Sequence, residues 1–126
     1  MKLFKGKAVI EAYTTGTGVY LESISFYGDV DPATGRLADG RLITGKILIA
    51  RKSRGSTVGP YIMYSLKKRG REPSAILVGV ADPIIVAGSV IAGIPLIHGL
   101  PREFFDEVSK LEQPRLRISG SRVELL

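Results

Sequence analysis

The sequence predicts a layered β/β/α domain of the α/β class, in which parallel β-α-β-α-β units stand beside antiparallel strands. Three observations predict it. The first third is rich in β-branched and aromatic residues broken by turn formers. The middle alternates short, continuous apolar runs with segments bounded by helix start and stop signals, the pattern of parallel strands joined by right-handed crossovers. The end reads as an amphipathic helix followed by a hairpin. At 126 residues the chain fits one domain, 1–126, with one core.

Lys7 to Tyr13 and Gly18 to Tyr27 read as strands, and the intervening Thr-Thr-Gly-Thr predicts a turn that makes them an antiparallel pair. Next, FYGDVDPATGRLADGR holds too many turn formers for a helix and predicts a long loop, and loops of that length in a small domain are often functional. Leu42 to Ala50 reads as a strand with a bulge at Gly45. Val58, Ile62 and Leu66 then recur at helical spacing, and Lys67-Lys68-Arg69-Gly70 supplies a cationic end with glycine in the C′ position.

Ser74 to Val80 is a continuous apolar run suited to a buried parallel strand. Asp82 offers a helix cap and Pro83 the first helical position, for a helix that runs to Ala92 before Gly93 and Pro95 stop it. Ile94 to His98 predicts another strand. Pro101 opens a helix whose Phe104, Phe105, Val108 and Leu111 share one face. RLRISGSRVELL predicts a closing hairpin about Ser119-Gly120-Ser121.

Composition excludes several classes. Hydrophobic residues at 44% and charged residues at 24% are those of a folded globular chain, which argues against disorder. The most apolar window, Ala75 to Leu100, is broken by Asp82-Pro83, Gly88, Gly93 and Pro95, so no membrane span is expected. The amino terminus lacks a signal-peptide pattern, which makes the cytoplasm the expected address. There is no cysteine, hence no disulfide and no thiolate for a metal or cluster within this chain. The net charge of +6 suits phosphates or an acidic partner, but no stacking aromatics interleave the cations, so no nucleic acid is expected.

One stretch, RKSRGSTVGPY (Arg51 to Tyr61), combines three cations, glycines and hydroxyls where a strand hands over to a helix. Unsatisfied N–H groups at a helix start bind anions, and Gly55 lets backbone come close. By residue type it is either a cap or an anion site. It is not a phosphate-binding P-loop, which needs Gly-Lys-Ser/Thr, and not a hydrolase elbow, because Arg54 stands where glycine is required. The only histidine, His98, closes an apolar strand and has either a structural or a catalytic part.

Three segments, in order, resemble the small subunit of the aconitase X family, whose swivelling β/β/α domain is a separate chain in archaea. SFYGDVDPATG (Ser25 to Gly35) is similar to that family's Ser-Phe-Trp-Gly-Gly-Val-Asp-Pro-x-Thr-Gly loop, RGSTVG (Arg54 to Gly59) to its Arg-Gly-Ser-Ser/Thr-x-Gly turn, and ADPIIVAGSVIAGIPLI (Ala81 to Ile97) to the segment that follows. The resemblance implies a hydro-lyase that removes water from mevalonate 5-phosphate and works only with a large catalytic subunit. That subunit would carry a [4Fe–4S] cluster whose iron acts as a Lewis acid.

It also implies that Ser56 is the general base, with Arg54, Gly55, Thr57 and Asp31 as substrate-binding candidates; Arg51 and Lys52 are either substrate contacts or solvated cations. Asp29 and Tyr27 depart from the family's loop, and Val58 stands where true aconitases have an arginine. Two other readings stand beside it: a regulatory module that binds a phosphorylated metabolite, and a related dehydratase acting on cis-3-hydroxyproline.

Overall fold

A computed structural model describes all residues from Met1 to Leu126. The chain forms, in order, strands β1 (Lys2–Lys5), β2 (Lys7–Ile10) and β3 (Ala12–Ile24), a single turn of helix α1 (Phe26–Asp29), and the short strands β4 (Val30–Asp31) and β5 (Arg36–Leu37). It continues through β6 (Ile47–Ser53), α2 (Gly59–Lys68), β7 (Ala75–Val80), α3 (Pro83–Ala92), β8 (Leu96–His98), α4 (Arg102–Ser109), β9 (Arg115–Gly120) and β10 (Arg122–Leu125).

Eight strands join in the order β1-β10-β9-β3-β6-β7-β8-β2. β3, β6, β7 and β8 run parallel, while β1, β10 and β9 add antiparallel strands on the other side of β3. β3 serves both halves, since Ala12 to Thr17 pair with β9 and Gly18 to Ile24 pair with β6. The β6-α2-β7-α3-β8 unit has the predicted topology.

The layering follows from alternation along the buried strands. Leu48 and Ala50 of β6 and Ile76 and Val78 of β7 face a core shared with Met63 and Leu66 of α2 and Ile85 and Ala92 of α3. Ile47, Ile49 and Leu77 face the opposite way, into a core shared with Phe4, Leu116, Ile118 and Val123 of the antiparallel strands and Phe104, Phe105 and Val108 of α4. A strand with two apolar faces must be covered on both, which produces sheet, sheet and helix layers. The chain has no helix long and apolar enough to cross a membrane.

Several local expectations are corrected. Thr14 to Thr17 form no turn: β2 pairs antiparallel with β8 instead, and β3 runs straight through these residues. β-branched threonines suit a strand, and pairing with β9 overrides the turn signal. Gly18 has a packing reason, since a Cβ there would lie 2.6 Å from Ile49 Cδ1 and 2.9 Å from Leu116 Cδ1. The long loop contains α1 and the β4–β5 pair.

Gly45 is no bulge; it sits at φ 70° in the turn before β6, which begins only at Ile47 and extends to Ser53. The first cap of α2 is Val58, with Gly59 and Pro60 as its first two helical residues, and Met63 rather than Val58 completes the buried face with Leu66. Leu111 lies beyond α4 and is exposed. Gly70 at φ 68° and Gly93 at φ 70° end their helices as their positions predicted.

Candidate active site

Ligand sites in open α/β sheets lie at the carboxyl ends of parallel strands, where the connecting loops leave the sheet. Here β6 ends in Arg54 to Val58, and β7 ends in Ala81 and Asp82. The two loops touch. Asp82 caps α3, its Oδ1 accepting from the N–H groups of Ile84 at 2.8 Å and Ile85 at 3.0 Å. Its other oxygen accepts from the Ser53 hydroxyl, which fastens the end of β6 to the start of α3.

Gly55 passes directly over this cap. A Cβ on it would stand 2.8 Å from Asp82 Oδ1 and 3.0 Å from Ile84 Cγ1, so the close approach demands glycine. Ser56 follows, and its carbonyl accepts from Gly59 N–H at 2.8 Å, closing the turn into α2. Its hydroxyl is half-buried and makes no hydrogen bond within the chain. The N–H groups of Gly55, Ser56, Thr57 and Val58 donate to no other group of the chain. Four consecutive unspent donors in one turn are suited to stabilising negative charge.

Arg54 borders the same turn. Its Nε donates to Ser23 Oγ at 2.9 Å and its Nη2 to Asp29 Oδ2 at 2.9 Å. Arg54, Gly55 and Ser56 together line a small hollow with Phe26, Asp82 and Ile84, of about 10 Å³, roughly the space of one water. The structure thus brings three of the five candidates to one place.

The others lie apart from that hollow. Thr57 lines a neighbouring depression with Pro60, Tyr61, Tyr64 and Ile91. Asp31 lines a third, with Asp29, Arg36 and Gly40, and its Oδ1 accepts from Ala33 N–H at 2.9 Å, which is turn chemistry. The largest hollow, about 610 Å³, sits beside Lys46 and Gly18 near the amino-terminal end of β6, away from Ser56.

Arg51 and Lys52 part company. Arg51 points toward α4, donating to Tyr20 Oη at 2.6 Å and Asp106 Oδ1 at 2.8 Å, with Phe105 beneath its guanidinium. The Asp106 carboxylate, and after it the Tyr20 hydroxyl, push the Arg51 pKa further up, so it is a permanent tie between β3, β6 and α4. Lys52 is exposed and forms no ion pair within the chain. His98 stands opposite Lys7 in the β2–β8 pair and does not line the hollow under Ser56. Reading the residues in sequence missed Ser23, Asp29 and Ser53 as supports of the turn. Their partners lie 25 to 31 positions away, and no local pattern marks them.

A layered swivel-type fold with a serine-bearing turn over two helix starts defines a class. Residues 3–125 match the model of the aconitase X swivel domain, and the chain belongs to that family. Among its relatives the name becomes specific. A phosphomevalonate dehydratase small subunit from Aeropyrum pernix is 44% identical over 117 residues, covering 93% of this chain and 89% of that one. The protein of the same name from Pyrococcus horikoshii is 43% identical over 133 residues, covering 99% and 94%. A crystal structure of Thermococcus kodakaraensis aconitase X in its holo-form matches with a TM-score of 0.82 at 35% identity, over 100% of this chain and 99% of that one.

Proposed function

We propose that this chain is the small subunit of a phosphomevalonate dehydratase, a hydro-lyase that converts mevalonate 5-phosphate to trans-anhydromevalonate 5-phosphate once joined to a large subunit. The names of relatives at 44% and 43% identity support that activity over the regulatory module and over cis-3-hydroxyproline as substrate. One observation carries the site: the Ser56 hydroxyl is unengaged, on a turn whose four N–H groups are unspent, and Ser56 lines one hollow with Arg54.

Dehydration needs a base for the proton on the carbon next to the carboxylate. A serine hydroxyl is too weak an acid to serve at neutral pH unless its alkoxide is stabilised. Donors from the Gly55 to Val58 backbone supply that stabilisation, each such donor being worth roughly 100- to 1,000-fold in rate where it has been removed elsewhere. Ser56 Oγ then takes the proton, the C–H electron pair becomes the second bond of the new alkene, and the hydroxyl on the adjacent carbon leaves with its C–O electron pair; return of the proton from Ser56 to that hydroxide completes the water and restores the base. Arg54 binds an anionic group of the substrate. Thr57 and Asp31 border the approach from neighbouring depressions.

The implied [4Fe–4S] cluster takes thiolate ligands. This chain has no cysteine and no grouping of three or more metal-binding side chains, so it does not fit the cluster itself, and the ligands belong to the large subunit. When bound there, the cluster supplies Lewis acidity toward the leaving hydroxyl. A phosphorylated carboxylate does not cross a lipid bilayer unaided, which supports the cytoplasmic address.

The test is anaerobic co-purification of the chain with its large subunit, followed by assay with mevalonate 5-phosphate. Ser56→Ala is expected to lower kcat by about 100-fold or more with KM within about twofold. An unchanged kcat would remove Ser56 from the role of base. Turnover of cis-3-hydroxyproline alone would replace the substrate.

A further inference from the structure

Arg54 is the one cation at the Ser56 turn, and its side chain is not free to wander. The same Asp29 oxygen that accepts from Arg54 Nη2 also accepts from Ser25 N–H at 2.8 Å. Asp29 is itself tied at both backbone ends, its N–H donating to the Ser25 carbonyl at 3.0 Å and its carbonyl accepting from Ala38 N–H at 3.1 Å. Arg54 N–H donates to the Ile24 carbonyl at 2.8 Å. Both partners are therefore anchored before their side chains meet.

A guanidinium is a planar fork with five donors. With Nε on Ser23 and Nη2 on Asp29, its plane is set and Nη1 is left without an acceptor in the chain. The pair is too exposed to add much stability, the side chains being 58% and 32% accessible, and such surface pairs contribute little to folding. Its consequence is orientation. We propose that Asp29 is a positioning residue: it holds the Arg54 guanidinium at the hollow that Arg54 shares with Ser56, leaving Nη1 for an oxyanion of the incoming substrate. The identity of that substrate rests on the dehydratase reading; the holding of Arg54 does not.

Two arms separate these. In the first, the full chain is labelled with ¹⁵N and the Arg54 Nε–H resonance, identified by its loss in Arg54→Lys, is followed. Exchange of this proton with water is expected to quicken about tenfold in Asp29→Ala and to stay near the native rate in Asp29→Asn, which keeps an acceptor oxygen. Inorganic phosphate and acetate are then titrated against the resonance, to show which oxyanion Nη1 prefers. The better of the two is expected to bind about fivefold more weakly to Asp29→Ala. Identical exchange and identical anion binding in all three chains would overturn the proposal.

In the second arm, the two-subunit enzyme is assayed. Asp29→Ala is expected to raise KM for mevalonate 5-phosphate about tenfold with kcat within about twofold, because binding of an anion remote from the reacting carbon is lost equally in ground and transition states. Asp29→Asn restores most of it, and Asp29→Ala adds nothing once Arg54 is alanine. A lowered melting temperature with KM unmoved, or equal effects with and without Arg54, would make Asp29 merely structural and overturn the proposal. If the unsubstituted enzyme does not turn over mevalonate 5-phosphate, the dehydratase reading falls, and the exchange and titration results decide the role of Asp29.

Discussion

Gly55 is the tightest position of the candidate site, and what limits it is a carboxylate rather than a conformation. The Asp82 oxygen that caps α3 occupies the space a side chain would need. Gly55→Ala must therefore lift the turn away from α3 and carry Ser56 with it. The expected result is a kcat lowered at least tenfold in the two-subunit enzyme, since small displacements of a catalytic group are costly, with only a small fall in melting temperature. Native kcat in that variant would show that the turn relaxes without moving Ser56. The motif around Gly55 was legible in sequence because its residue types are themselves unusual at a strand-to-helix junction. Asp29 was legible only as a departure from the family's loop, and the fold makes it the partner of Arg54.

At the scale of elements, α2 and α3 set the geometry of the turn, and Gly88 sets their separation. A Cβ on Gly88 would collide with the Met63 sulfur and lie 3.3 Å from Pro60 Cα, in the first turn of α2. Overpacking of this kind costs roughly 1–3 kcal/mol. Gly88→Ala is expected to lower stability by about that amount in denaturant titration, and pairing it with the shorter side chain of Met63→Ala to recover part of the loss. No recovery would mean that the Pro60 backbone is the obstacle. The elements with strong local signals were read correctly: Asp82-Pro83 at the head of α3, Gly93 at its end, and the β9–β10 hairpin. Thr14 to Thr17 misled, because their turn signal is local while the pairing that overrides it comes from β9, about 100 residues later.

For the whole molecule, closure of the β/β/α layers brings the first strand against the last helix. Lys2 Nζ lies 2.7 Å from Glu107 Oε1 and 3.6 Å from Glu103 Oε1, joining β1 to α4. The hydrogen bond and charge of Lys2 hold the Glu107 carboxyl below its usual range, and Glu107 in turn raises Lys2. A carboxylate with a lowered folded pKa adds stability above its unfolded value, lost as pH falls through the folded one. The difference in melting temperature between the native chain and Glu107→Gln is thus expected to hold steady near neutral pH and to shrink toward about pH 3. A difference that does not vary with pH would deny the pair any part in stability. Sequence by itself determined the class of fold, the order of the parallel unit and the turn that bears Ser56, because periodicity, caps and glycine placement are local properties of the chain. Only the tertiary structure decided that Arg51 braces α4 while Arg54 lines the hollow with Ser56, that Asp31 lies apart from it, and that Asp29 pairs with Arg54. Those outcomes depend on which strands become neighbours and which face of each is covered, and no stretch of sequence carries that information alone.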